Sequence, residues 1–260
     1  MISQLLFGEL AEVLETKGRQ WAKVRCAWDN FVGWVATNQL KPVTPTEFER
    51  FQQEYAYSLE LFHTILAEDF CVPIVMGAQL PGFDGMRFKL AEHYFTFSGQ
   101  AVFPENMERS PDFILKIARK YLHAPFLWGG RSPMGIDAPG LIQAVFKLAG
   151  VQMPREAEQQ VFYGEAVDFV EQSQPGDIAF FENKAGRISH CGIILPNNEV
   201  LHSYGSVRID AIDHYGIYNK KEARYTHRLR VVKRMLKGRV AEKETAEKAV
   251  EKAQGQFELF

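Results

Sequence analysis

The stretch PFLWGGRSPMGIDAPGLIQAVFKLAG, residues 125–150, decides how this chain folds. Its first half is a loop, because Pro125, Gly129, Gly130, Pro133 and Gly135 crowd turn-forming residues into one short segment. From Ala138 the pattern changes. Apolar residues recur at 138, 141, 142, 145, 146 and 149, the three- and four-residue steps of a buried helix. Gly150 follows as the residue that ends it. Asp137, Ala138, Pro139 and Gly140 therefore stand at the entry of a buried helix.

Upstream, Ser110-Pro111-Asp112 reads as a helix cap with proline at the first position, opening an amphipathic helix over Phe113–His123. Downstream, a short helix around Arg155–Tyr163 precedes strands at Gly176–Glu182, Ile188–Leu195, Glu199–Ser203, Ser206–Asp210 and Arg228–Val232. A helical half before an antiparallel half is an α+β arrangement. Nearer the N-terminus, residues 1–43 and 69–105 carry short strands divided by turn signals, and each reads as a small β-barrel. Between them, over residues 44–68, Phe48, Phe51, Tyr55, Leu59 and Phe62 form one stripe, which predicts a helical linker over Thr46–Leu66. The C-terminal unit covers 110–236. A charged tail, 237–260, ends in QFELF.

Composition excludes several classes. The chain has 260 residues, 46% of them hydrophobic, enough to bury a sizeable core. Thirty Lys and Arg against 32 Asp and Glu leave no excess positive charge for a nucleic-acid backbone. Three cysteines, Cys26, Cys71 and Cys191, make neither a disulfide framework nor a metal-ligand spacing. The opening MISQLLFGEL has no basic n-region, and no apolar run is long enough to span a bilayer, so a cytoplasmic location with no membrane partner is expected.

His190 stands in ISHCGIIL, fifty-two residues beyond Ala138, and His202 in EVLHSYGSVRID, twelve residues further. With PFLWGGRSPMGIDAPG, these segments resemble the NlpC-type family of papain-like cysteine peptidases, which cut peptidoglycan stem peptides. With the two barrels, read as SH3-like, the chain is similar to the dipeptidyl-peptidase VI-like subgroup, which cleaves γ-D-glutamyl-L-diamino acid bonds. The resemblance implies a papain-like domain behind two SH3-like barrels. It also implies a thiol at position 138, its base at His190 and an orienting group at His202. A thiol at a helix N-terminus is activated by the helix dipole and a nearby imidazole. Position 138 holds alanine instead, and Pro139 replaces the usual serine. A methyl group cannot attack a carbonyl.

The resemblance further implies that Asp137 and Glu9 hold a ligand's free amine as a carboxylate pair. Trp128 would wall the cleft and Arg131 would hold a carboxylate or be solvated. No cofactor is expected. A His190–His202–His214 metal set is conceivable, but family geometry accounts for the first two, so no metal is assigned. The expected function is a catalytically silent relative of a stem-peptide hydrolase, with a cleft for a muropeptide or γ-glutamyl peptide. Two alternatives stay open. One is an active hydrolase with a non-standard nucleophile. The other is an interaction protein using the barrels and the tail, whose Gln256, Leu259 and Phe260 resemble peptides that dock on the bacterial sliding clamp.

Overall fold

The computed structural model describes residues 1–236, so the tail, with Gln256, Leu259 and Phe260, lies outside the described residues. The first β unit is an antiparallel meander of β1 (Ala11–Lys17), β2 (Trp21–Cys26) and β3 (Val32–Ala36). Along β2 the inward positions alternate, burying Ala22, Val24 and Cys26.

Helix α1 (Pro45–Gln53) begins where Thr44 and Glu47 cap each other reciprocally, with Pro45 directly after the cap. It ends at Gln53. This corrects the helix expected over Thr46–Leu66, because β4 (Tyr55–Ser58) and β5 (Phe62–Leu66) follow as strands. Ala56 and Tyr57 are both buried, in two different cores. A strand buried on both faces shows no clean alternation, and here its aromatic residues extend a helical stripe by coincidence. The second β unit therefore starts at Tyr55, inside the span read as a linker.

That unit adds β6 (Cys71–Val75), β7 (Gln79–Pro81), β8 (Arg87–Leu90), β9 (His93–Thr96) and β10 (Ala101–Val102). Its two sheets, β10-β4-β7 and β6-β5-β9-β8, enclose Ile65, Ile74 and Leu80 with Phe83, Phe88, Phe95 and Phe97.

The C-terminal unit opens with α2 (Pro111–Lys120), capped by the Ser110 hydroxyl. A hairpin of β11 (Arg131–Ser132) and β12 (Gly135–Ile136) leads into α3 (Ala138–Leu148), followed by α4 (Ala157–Gln160) and β13 (Glu165–Val167). Then come β14 (Ile178–Glu182), β15 (Ile188–Leu195), β16 (Glu199–Tyr204), β17 (Ser206–Asp213), β18 (Gly216–Asn219) and β19 (Arg224–Arg234). Each pairs antiparallel with the next, and β19 also pairs with β14, closing the sheet into a barrel. One face of the wall, with Phe180, Cys191, Ile193 and Leu201, packs on α2 and α3 through Ile117, Leu141, Val145 and Phe146. The other face fills the barrel with Phe181, Ile194, Val200, Ile212, Ile217 and Val232. Burying each such side chain contributes roughly 1.5–3 kcal/mol. The α+β class is the observed one. No helix among the described residues is long and apolar enough to cross a membrane.

One close approach in the wall is where Gly192 of β15 faces His202 of β16. A Cβ at 192 would lie 2.6 Å from Val200 Cγ2 and 3.0 Å from His202 Cβ. Glycine lets the two strands approach with an imidazole between them. Gly192→Ala is expected to lower stability by about 1–3 kcal/mol, read as a fall in the urea midpoint. An unchanged midpoint would show that the strands part freely.

Candidate functional site

The site grows from the start of α3. Asp137 is its cap: Oδ1 accepts from the Gly140 amide at 2.7 Å and Oδ2 from the Gly129 amide at 2.8 Å. Oδ2 also accepts from Arg155 Nη2 at 2.6 Å. Ala138 holds the first helical position, where a helix leaves the amide unbonded, and Pro139 the second, where its ring nitrogen carries no N–H to leave unbonded. A side chain at Gly140 would collide with the Gly130 carbonyl, so loop and helix can close only around glycine. Ala138 itself is buried in the core that α3 shares with β15.

Across the barrel wall, His190 Nε2 and His202 Nδ1 lie 2.8 Å apart, and His202 Nε2 lies 3.0 Å from Asp210 Oδ2. Arg208 in turn donates from Nη2 to Asp210 Oδ1 at 2.8 Å, with its Nε 2.7 Å from Oδ2 in the same ion pair. Register explains the chain: His202 faces Arg208 across β16 and β17, and Asp210 sits diagonally on the same face. His227, on β19, stacks on His190 with ring centroids 4.1 Å apart. Burial lowers all three imidazole pKa values: His190 well below its usual range, His202 despite the pull of Asp210, and His227 to about 4. The three are neutral at pH 7. Burial acts against ionisation of Asp210 too, but hydrogen bonds from His202 and Arg208 keep its pKa below the usual value. The arrangement is an oriented, uncharged imidazole, and position 138 supplies it no thiol nucleophile. Cys191 offers none: it faces the helical core, fully buried, and burial pushes its thiol far up.

Glu9 and Asp137, expected as a carboxylate pair facing a ligand amine, each already bind internal cations. Glu9 binds Arg131 in bidentate fashion at 2.9 Å on both oxygens and Lys147 Nζ at 2.6 Å. Lys147 Nζ also donates to the Gly77 carbonyl and lies 4.3 Å from the Tyr57 ring centre. Arg131 is thus neither solvated nor free to bind a ligand carboxylate. Trp128 stands 69% exposed at the loop tip, beside the half-exposed Phe126 and Leu127. His214 lies outside β17 and β18, ring against Tyr215, and the third histidine near His190 and His202 is His227.

Sequence reading missed Asp210, Arg208, His227, Arg155 and Lys147. Period-two alternation in SVRID marks Arg208 and Asp210 as sharing a face, which is a usable signal. Lys147 falls off the apolar stripe of α3 and looks like a solvated lysine. The N-terminal units bury it.

Residues 123–230 match the NlpC/P60 family, and residues 1–40 match the bacterial dipeptidyl-peptidase SH3 domain. The chain therefore carries an NlpC/P60 domain behind a dipeptidyl-peptidase-type SH3 domain. It is 25% identical over 213 residues to a Gamma-D-glutamyl-L-lysine dipeptidyl-peptidase of Bacillus subtilis, covering 77% of this chain and 71% of that protein. A Gamma-DL-glutamyl hydrolase of the same organism is 44% identical over 84 residues, covering 31% of this chain and 20% of that protein. The crystal structure of an NlpC/P60 family protein from Bacillus cereus has the same fold. It superposes with a TM-score of 0.77 at 22% identity, over 91% of this chain and 82% of that one.

Burial alone would raise the Glu9 pKa, but the Arg131 guanidinium and Lys147 ammonium outweigh it and hold the carboxyl at about 2. An unfolded glutamate titrates near 4.3. The stabilisation from Glu9 is then full above about pH 4.3 and is lost as the pH falls toward about 2. Glu9→Gln is expected to cost about 3–5 kcal/mol at pH 7 by leaving two cations unpaired. It should also flatten the acid limb of stability against pH, measured by urea titrations from neutral pH downward.

Proposed function

We propose that this protein is a cell-wall peptidase relative without a cysteine nucleophile, which binds a γ-glutamyl peptide and does not hydrolyse it. The observation that carries this is Ala138 at the first position of α3, where the family resemblance calls for the thiol. Pro139 departs beside it. His190 in the base position and His202 in the orienting position support a scaffold whose proton-handling half remains. The ligand class rests on the two Bacillus subtilis relatives, both of which carry γ-glutamyl activities in their names. Trp128 and its exposed apolar neighbours supply a surface for the peptide.

The spent charges shape the binding. With Glu9 and Asp137 neutralised internally, neither discriminates a free amino terminus from a blocked one. L-Ala-γ-D-Glu-diaminopimelate and its N-acetylated form are expected to bind with similar affinity in calorimetry. Mass spectrometry should find no cleavage of the free peptide by the unmodified protein, even in long incubations at high protein concentration. Ala138→Cys with Pro139→Ser is expected to gain hydrolysis that His190→Ala removes again. Cleavage by the unmodified chain, lost on His190→Ala, would overturn the reading.

A further inference from the structure

We propose that His190, His202 and His227 form a three-histidine site for a divalent transition-metal ion of the zinc class. Their candidate donor atoms all lie within 4.8 Å of one another, contributed by three strands that barrel closure brings together. Two of the rings have their outer nitrogens engaged. His202 Nε2 meets Asp210, and His227 Nδ1 lies 2.9 Å from the Thr226 hydroxyl. This leaves His202 Nδ1 and His227 Nε2 for the ion, with His190 Nε2 already aimed at His202. A carboxylate behind a ligating imidazole fixes its tautomer and raises its basicity, and here Asp210 is itself held by Arg208.

Zinc–nitrogen bonds of about 2.0–2.1 Å in tetrahedral geometry set neighbouring nitrogens about 3.3 Å apart. The His190–His202 pair, now 2.8 Å apart, opens slightly, and the His227 ring turns out of its stack on His190, where the planes lie 24° apart, to direct its nitrogen at the ion. Three nitrogen ligands suit zinc, cobalt, nickel or copper over magnesium or calcium, and leave a fourth position for water or an anionic ligand. His190 and His202 are buried, whereas His227 is half-buried beside the exposed Tyr204, which gives the ion its approach. None of this depends on whether the cleft binds a peptide.

The test is zinc uptake by the chelator-stripped full chain at micromolar zinc, measured by equilibrium dialysis and elemental analysis. One zinc per chain and a zinc-dependent rise in melting temperature are expected. His227→Ala should abolish both while leaving the metal-free melting temperature and far-UV spectrum near those of the parent. Asp210→Asn should weaken binding by about 10–100-fold, and Cys71→Ser, which removes the exposed thiol, should leave it unchanged. Substoichiometric uptake by the parent, or uptake unaffected by His227→Ala, would overturn the site. Should His227→Ala melt early without metal, His227→Gln provides the second comparison under the same criteria.

Discussion

Both oxygens of Asp137 are committed before any ligand arrives. One caps α3 at the Gly140 amide; the other gathers the Gly129 amide and the buried Arg155 guanidinium. That carboxylate fixes where the helix starts, how the loop returns over it and where Arg155 lies. Position 138 then has no freedom: whatever residue stands there is presented at the positive end of a buried helix. In a peptidase this geometry activates a thiol. Here it presents a methyl group, and the scaffold around it is unaffected, because none of the three bonds passes through the side chain at 138.

A second buried ionic cluster has the same character. Glu9 lies ahead of β1, Arg131 on β11 and Lys147 on α3, so one carboxylate ties the N-terminal segment to two elements of the NlpC/P60 domain. Two cations on one carboxylate leave an excess positive charge, and the Gly77 carbonyl and the Tyr57 ring face absorb part of it. Such a cluster costs desolvation and gives register in return. It fixes the N-terminal units against the domain and leaves both oxygens of Glu9 paired with internal cations.

The legible parts of the sequence are those where local sterics leave one solution. Gly140 must be glycine because the Gly130 carbonyl lies where its side chain would be, so the loop-helix motif survives as a readable pattern. The buried face of α3 reads through its period. Residues 55–66 misled because β4 is buried on both faces, and no period distinguishes such a strand from a helix. Lys147 and Glu9 were legible as charges but not as partners, since their pairing depends on how separate units dock. His227 carried no motif. A register shift in the pairing of β14 with β19, between Phe180 and Phe181, helps set which residues of β19 face His190.

The histidines separate persistence from use. His202 fits against Gly192, and His190 lies two residues before that contact, so the register that holds the barrel also holds these two imidazoles. Replacing either disturbs packing, and their presence follows from fold constraint whether or not a thiol remains. His227 has no such excuse. Its neighbours Phe181 and Tyr204 are rings that another aromatic side chain could meet equally well. A half-buried imidazole stacked on His190, with its outer nitrogen at the Thr226 hydroxyl, is a specific choice of chemistry at a position where packing alone asks only for a flat ring.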